Sequence, residues 1–435
     1  MPKTVRFYTL GCKVNQYDSE AMLEAFLARG YDPAPPGVPA DVYVVNTCTV
    51  TGTGDQKSMQ VARRFQRQNP QGELVLAGCL AQRMGDALRS TGARLILGTQ
   101  YRARVAELLE QAIDTQTQLV AVDSLQSAAF EPLTIRAHDG HTRAVMKIQE
   151  GCDNRCTYCI IPSVRGGIRS RPVEEIAAEA AVLSQAGFAE LVLTGIHLTS
   201  YGRDLPGKPS LSDAIAAAQA APGVARIRLG SLEPLAVNDH FIAALATLPK
   251  LCPQFHLALQ SGSDTVLARM KRRYNTAQFA AAAKRLRDAL PDAVFTTDVI
   301  VGFPGETEEE FAQTVRFCKE IGFMKLHVFP YSRREGTPAA EMENQIPEPV
   351  KDERVRRLIA VGEDLATACR ERLLGTVQPV LLEDKTDDGA LSGYTPQYVH
   401  VSVPGGQTGE IVNVRLTGLT REGMSGEIVE SMVEK

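Results

Sequence analysis

Along the first ~115 residues, short apolar runs alternate with segments in which apolar residues recur every three or four positions. The runs at 5–10, 42–46, 74–77 and 95–97 predict strands, and the periodic segments 19–29, 55–68 and 101–113 predict helices. Strands and helices in that alternation imply a small parallel, Rossmann-like α/β sheet covered by helices. Four prolines and a glycine between 33 and 39 mark a loop. Residues 116–138 are polar and weakly patterned, and read as a linker.

The alternation resumes at 143 on a larger scale. Strands are predicted at 144–149, 191–194, 226–229, 256–259, 295–301 and 326–329, with helical stretches between them such as 173–186, 276–288 and 307–321. Six β/α repeats are too few for an eight-fold barrel, so a partial (β/α)6 barrel is expected. A charged helix at 348–374 leads into short β-rich runs at 377–382, 398–403, 410–416 and 426–429, which predict a small all-β barrel. The fold class is therefore α/β, with units expected at 1–115, 138–368 and 369–435.

Composition changes this picture little. A chain of 435 residues suits two or three folded units, and 44 % apolar with 23 % charged residues is ordinary for a globular enzyme. A net charge of −4 gives no reason to expect a polyanionic partner from charge alone. No apolar run reaches the ~18–20 residues that cross a bilayer, and the N-terminus lacks a signal-type segment. A cytoplasmic protein without membrane association is expected, where thiols stay reduced. Its nine cysteines then read as metal ligands or packing residues and not as a disulfide framework.

Three of them, Cys152, Cys156 and Cys159, are spaced C-x3-C-x2-C directly after the first strand of the partial barrel. A 4Fe–4S cube takes four ligands, so three thiolates leave one iron open. That iron can chelate the adjacent amine and carboxylate of S-adenosylmethionine. Structural zinc is the competing reading, but it usually employs paired C-x2-C or C-x2-H elements, and no second pair is present. Active sites of such barrels lie at the C-terminal strand ends. Tyr158 in the cysteine loop, Gly195 after the second strand, and Ser231 and Glu233 after the third are candidates there for binding the cofactor. Gln260 and Ser261 after the fourth and Asp298 in the fifth complete that set.

Cys12, Cys48 and Cys79 share a different setting. Each follows a predicted strand of the N-terminal sheet, where open α/β sheets bind ligands. One buried cysteine is usually packing. Three at equivalent strand ends favour a second cluster with an open iron. Cys252, Cys318 and Cys369 lack such company and read as packing residues.

The triplet with an aromatic residue before its last cysteine resembles the signature of the radical S-adenosylmethionine superfamily. Together with the strand-end trio, the stretch Cys159-Ile160-Ile161-Pro162-Ser163-Val164-Arg165-Gly166 and Phe329-Pro330-Tyr331-Ser332, nearly the whole chain resembles the methylthiotransferases. The run Gly11-Cys12-Lys13-Val14-Asn15-Gln16-Tyr17-Asp18-Ser19-Glu20 and Thr194-Gly195-Ile196-His197-Leu198 look like the branch acting on threonylcarbamoyl-adenosine in tRNA. The alternatives are the isopentenyladenosine branch, the branch that modifies an aspartate of a ribosomal protein and, in a different class, an RNA-binding protein with a structural metal.

The resemblance implies two 4Fe–4S clusters, S-adenosylmethionine and radical transfer of a methylthio group to C2 of the modified adenosine 37, 3′ of the anticodon. It further implies a flavodoxin- or ferredoxin-type electron donor, a sulfur donor and a monomeric enzyme. The C-terminal barrel resembles a TRAM domain, an RNA-binding module. From 368 to 435, however, six Lys/Arg stand against ten Asp/Glu. RNA contact is then expected from a local basic face, from Arg63, Arg64 and Arg67, or from Lys271, Arg272 and Arg273, with Tyr394 and Tyr398 as candidates for stacking on bases.

Overall fold

The computed structural model describes residues 3–126, 128–136, 142–385 and 389–429. Its N-terminal sheet has six parallel strands: β1 (Thr4–Thr9), β2 (Asp32–Pro33), β3 (Val42–Thr47), β4 (Glu73–Gly78), β5 (Leu95–Leu97) and β6 (Leu119–Ala121). Their order is β2-β1-β3-β4-β5-β6. Every residue of β3 is buried, as expected for a central parallel strand covered on both faces. The helices α1 (Lys13–Leu27), α2 (Gly52–Gln68), α3 (Cys79–Met84) and α4 (Val105–Asp114) follow their strands, and the Thr51 side chain caps α2 by accepting from the Gly54 amide.

Two expectations are corrected here. Helix α1 begins six residues earlier than its apolar pattern suggests, at Lys13, because its inward face carries the polar residues Asn15, Asp18 and Ser19. The segment read as a linker is partly structural: β6 extends the sheet, and Leu133 and Ile135 are buried with Tyr17. Tyr17 donates to the Leu133 carbonyl at 2.8 Å. Residues 127, 137 and 138 of that segment lie outside the described residues.

The central unit is an open barrel. One sheet holds β7 (Arg143–Glu150), the two-residue antiparallel β8 (Arg169–Ser170), β9 (Glu190–Gly195) and β10 (Arg226–Leu229). The other holds β11 (Ser231–Leu232), β12 (Gln254–Leu257), β13 (Val294–Val301) and β14 (Lys325–Pro330). The chain passes from β10 to β11 through Gly230, and Ile227 of β10 makes a parallel bridge to Leu251, three residues before β12. The outward residues of β7 and β9 pack on helices, as Met146, Ile148, Leu191 and Leu193 do in the core. The alternate residues Val145 and Val192 pack on Tyr17 and Ala21, so α1 lies against the other face of the same strands.

The last unit is a closed barrel of β15 (Val377–Lys385), β16 (Leu391–Tyr394), β17 (His400–Val403), β18 (Ile411–Leu419) and β19 (Met424–Ile428). β16 was not expected, since its Leu-Ser-Gly-Tyr sequence has little β pattern of its own. The barrel docks on the N-terminal ends of the central strands. Arg226 donates to the carbonyls of Tyr394 and Pro379, Arg228 to that of Pro396, and Arg143 pairs with Glu383. Tyr394 and Tyr398 stack on each other with Arg143 over both rings. They therefore serve this joint and are not an open platform for bases.

Phe279 is fully buried against Phe317 and Phe323 at the centre of the large core. Phe279→Ala should cost about 3–5 kcal/mol through lost burial and the cavity left behind. Chemical denaturation followed by far-UV circular dichroism measures this, and a loss below about 1 kcal/mol would contradict the packing described.

Candidate active site and paired cysteine trios

Two cysteine trios lie at C-terminal strand ends of two different units. In the N-terminal sheet, β1, β3 and β4 are neighbours in register, and Cys12, Cys48 and Cys79 follow them. A small polar lattice ties these three ends together. Asn15 donates to the carbonyls of Leu10 and Thr47, the Thr47 hydroxyl donates to the Ala77 carbonyl, and Asn46 donates to the Asn15 carbonyl. Gly78 takes a positive φ of 92° to pass from strand to cysteine, and a Cβ there would stand 2.3 Å from the Asn46 oxygen. Only glycine serves at this position.

Cys12 is exposed, Cys48 partly exposed and Cys79 buried. Cys12 and Lys13 line a cleft of about 740 Å³ that runs along α1 and β1. Burial raises the Cys48 thiol pKa and pushes that of Cys79 up to about 11. The sulfur of Cys79 accepts an N–H bond from Arg165 Nε at 3.1 Å.

The second trio sits in the loop after β7. Gly151 turns the chain at φ 72°, where a Cβ would fall 1.8 Å from the Gly167 oxygen. Cys152 is tethered by its amide to the Gly166 carbonyl at 2.9 Å, and the Asn154 amide lies 3.4 Å from its sulfur. Burial raises Cys152 to about 11 and Cys159 to about 12. The Cys156 sulfur accepts from Arg272 Nη1 at 3.1 Å.

These three cysteines line one cavity of about 150 Å³ with Tyr158, Ser231, Glu233 and Gln260. Four of the seven residues expected to bind cofactor thus meet at the triplet. The other three do not line that cavity. Ser261 is fully buried and shares a hydrogen bond with Thr314, Gly195 faces Gln149, and Asp298 pairs with His256 at 3.4 Å.

Asn154, His197 and Arg272 also line the cavity and were not anticipated there. Arg272 was expected to face RNA. Its side chain is instead buried at 6 % exposure and bonds Glu233 at 2.6 Å, whereas Lys271 and Arg273 are exposed. Its place in a Lys-Arg-Arg run concealed this, because composition does not show which of three cations turns inward. Glu233 also accepts from Asn154 at 3.0 Å and lies 3.1 Å from His197 Nε2. Burial works to raise the Glu233 pKa, but the His197 bond and the Arg272 guanidinium outweigh it and hold the carboxyl at about 2. His197 Nδ1 is buried with no partner in the protein, a donor or acceptor left for a ligand.

Between the trios runs a buried ion network. Asp18 of α1 and Glu150 of β7 are shared by Arg102, Lys147 and Arg165, with Arg165 Nη1 2.9 Å from each carboxylate. Arg165 ends the helix α5 (Ile161–Arg165), which follows the cysteine loop, so a single short segment touches both trios. Among the described residues no group of three or more His, Cys, Asp and Glu closes on a point as one metal ion requires. An iron–sulfur cube differs, because each thiolate takes a separate corner. The arrangement suits it: thiolates at strand ends, and an N–H donor on a sulfur of each trio.

An open parallel barrel carrying a cysteine triplet at its strand ends defines a radical S-adenosylmethionine enzyme. Residues 146–318 match the Radical SAM superfamily, 4–98 an uncharacterised family designated UPF0004, and 371–429 the TRAM domain. The chain is 43 % identical over 421 residues to the threonylcarbamoyladenosine tRNA methylthiotransferase MtaB of Bacillus subtilis, covering 95 % of this chain and 93 % of that one. It is 37 % identical to the protein of the same name from Thermotoga maritima, covering 97 % and 96 %. A tRNA-2-methylthio-N(6)-dimethylallyladenosine synthase from Symbiobacterium thermophilum is also 37 % identical, covering 99 % and 95 %.

The chain belongs to the radical S-adenosylmethionine methylthiotransferase family, enzymes that use S-adenosylmethionine and two 4Fe–4S clusters. In fold it resembles the radical methyltransferase TsrM of Kitasatospora setae, with a TM-score of 0.58 at 13 % identity, covering 89 % of this chain and 81 % of that one. No helix among the described residues is long and apolar enough to cross a membrane.

The thiol environments predict an order of reactivity. In the cluster-free chain at pH 7.5, iodoacetamide should label Cys12 ahead of the buried Cys79 and the partly buried Cys159, whose thiols are held protonated. A mass-spectrometric time course measures this. Equal rates at the three sites would contradict the burial described.

Proposed function

We propose that the chain methylthiolates C2 of N6-threonylcarbamoyladenosine at tRNA position 37, with Cys152, Cys156 and Cys159 holding the radical cluster and Cys12, Cys48 and Cys79 an auxiliary one. The observation that carries this reading is the pair of cysteine trios joined through Arg165, in a chain 43 % identical to an MtaB protein across nearly its whole length. A radical derived from S-adenosylmethionine supplies the removal of an aromatic hydrogen that no side-chain base could ionise near neutral pH.

The chain's own residues bind and orient. Glu233, fixed as a carboxylate by Arg272 and Asn154, offers an acceptor for the amine of the cofactor, and Ser231 and Gln260 offer polar contacts beside it. The same chemistry calls for a low-potential electron donor of flavodoxin or ferredoxin type and a sulfur donor. A cytoplasmic monomer fits these requirements.

RNA contact is assigned to α2. Lys57, Arg63, Arg64 and Arg67 are exposed on this helix, and its one acid, Asp55, is engaged by Arg83 and Arg334. The helix starts four residues after Cys48, so its basic face leads away from the auxiliary trio.

The direct test is nucleoside analysis of tRNA from cells lacking the gene. Selective loss of the methylthio-threonylcarbamoyl nucleoside, restored by the wild-type gene and not by Cys152→Ala, is expected. Loss of a methylthio-isopentenyl nucleoside instead would assign the other branch. For α2, the double variant Arg63→Glu/Arg67→Glu should weaken tRNA binding about tenfold or more and flatten its salt dependence by about two charges. Fluorescence anisotropy across a salt series reads both effects. Unchanged affinity would remove α2 from the interface.

A further inference from the structure

Arg165 is fully buried, and its guanidinium sits at the joint between the two units. Nη1 is 2.9 Å from both Asp18 and Glu150, Nη2 donates to the Asn15 side chain, and Nε donates to Cys79 Sγ at 3.1 Å. Two carboxylates and an amide fix the plane of the guanidinium, so Nε–H is aimed at the sulfur by the geometry of the fork. Arg102, Lys147, Arg165 and the neighbouring Arg169 face Asp18, Glu150, Glu131 and Asp204, four cations against four carboxylates. Arg169 adds two buried nitrogens with no acceptor in the protein. Buried donors of this kind are unfavourable until an acceptor completes them.

Resting on the reading that Cys12, Cys48 and Cys79 hold a cluster, we propose that Arg165 is a positioning residue that raises the reduction potential of that centre through its N–H bond to the Cys79 sulfur. A one-electron reduction adds a negative charge to the centre and neither makes nor breaks a bond with the protein. The buried Arg165 guanidinium and its N–H donor stabilise that added charge, and hydrogen bonds to cluster sulfurs are a recognised lever on potential. Because Arg165 lies six residues after Cys159, the same contact ties the setting of the auxiliary centre to the loop of the radical one.

The test uses the full chain carrying Cys152→Ala, Cys156→Ala and Cys159→Ala, so that only the auxiliary centre assembles. This parent and its Arg165→Lys and Arg165→Met derivatives are reconstituted anaerobically with iron and sulfide. Each is then titrated with dithionite while the paramagnetic signal of the reduced centre is followed. The expected result is equal iron per chain in all three, with the midpoint moved to more negative potential by Lys and further by Met. If the Met variant fails to fold, the Lys variant decides alone. An unchanged midpoint at full iron content would overturn the proposal. Loss of iron from both derivatives would also overturn it, since Arg165 would then be needed for assembly and not for tuning. A parent that binds no iron would instead remove the auxiliary-cluster reading beneath it.

Discussion

The structure depends on one buried charge network. Asp18, Arg102, Lys147, Glu150 and Arg165, none more than 4 % exposed in its side chain, lock helix α1 of the N-terminal sheet to strand β7 of the open barrel. Taking such charges out of water costs on the order of several kcal/mol each, and only their mutual contacts offset this. An alternative docking would strand at least one of them. The network therefore acts through specificity more than through net stability, and what it specifies is the position of one cysteine trio relative to the other.

Each part of the site answers to that constraint. The N-terminal strands deliver Cys12, Cys48 and Cys79 to a common edge, and a lattice of Asn15, Asn46 and Thr47 sets their spacing. The barrel delivers its triplet at the end of β7, where Cys152 stands two residues beyond Glu150. The cavity at the triplet is ordered by Glu233, which Arg272 connects to Cys156. The C-terminal barrel is fastened to the opposite ends of the strands by Arg143, Arg226 and Arg228. An RNA held by that barrel must reach around the central unit to present its base near the cysteines, which gives a basic face on the N-terminal unit a clear use.

Periodicity made the architecture legible where it reported burial alone. The longer strands of the parallel sheets and most of the long helices lie within a few residues of their expected limits, because their apolar faces simply meet a core, whereas the two- and three-residue strands β2, β6, β8 and β11 were not expected. It failed where polar residues are buried. The start of α1 was hidden because Asn15 and Asp18 face another unit, and residues 119–135 passed for a linker because their contacts are long-range. The grouping of six cysteines into two trios could be read from spacing and strand position. Arg165, Arg272 and His197 could not be given their places, since nothing in a sequence tells which cation turns toward a sulfur. Ser261 and Asp298 were expected at the pocket because they lie close to its strand ends, but one turns into the core and the other pairs with a histidine.

Whether both trios hold iron–sulfur cubes in one chain is decided by Mössbauer spectroscopy of the anaerobically reconstituted full-length protein, with iron and acid-labile sulfide counted per chain. Two cubes require about eight iron and eight sulfide, all in the 4Fe–4S form. A chain that saturates at about four iron, or takes up only a single zinc, would contradict the account.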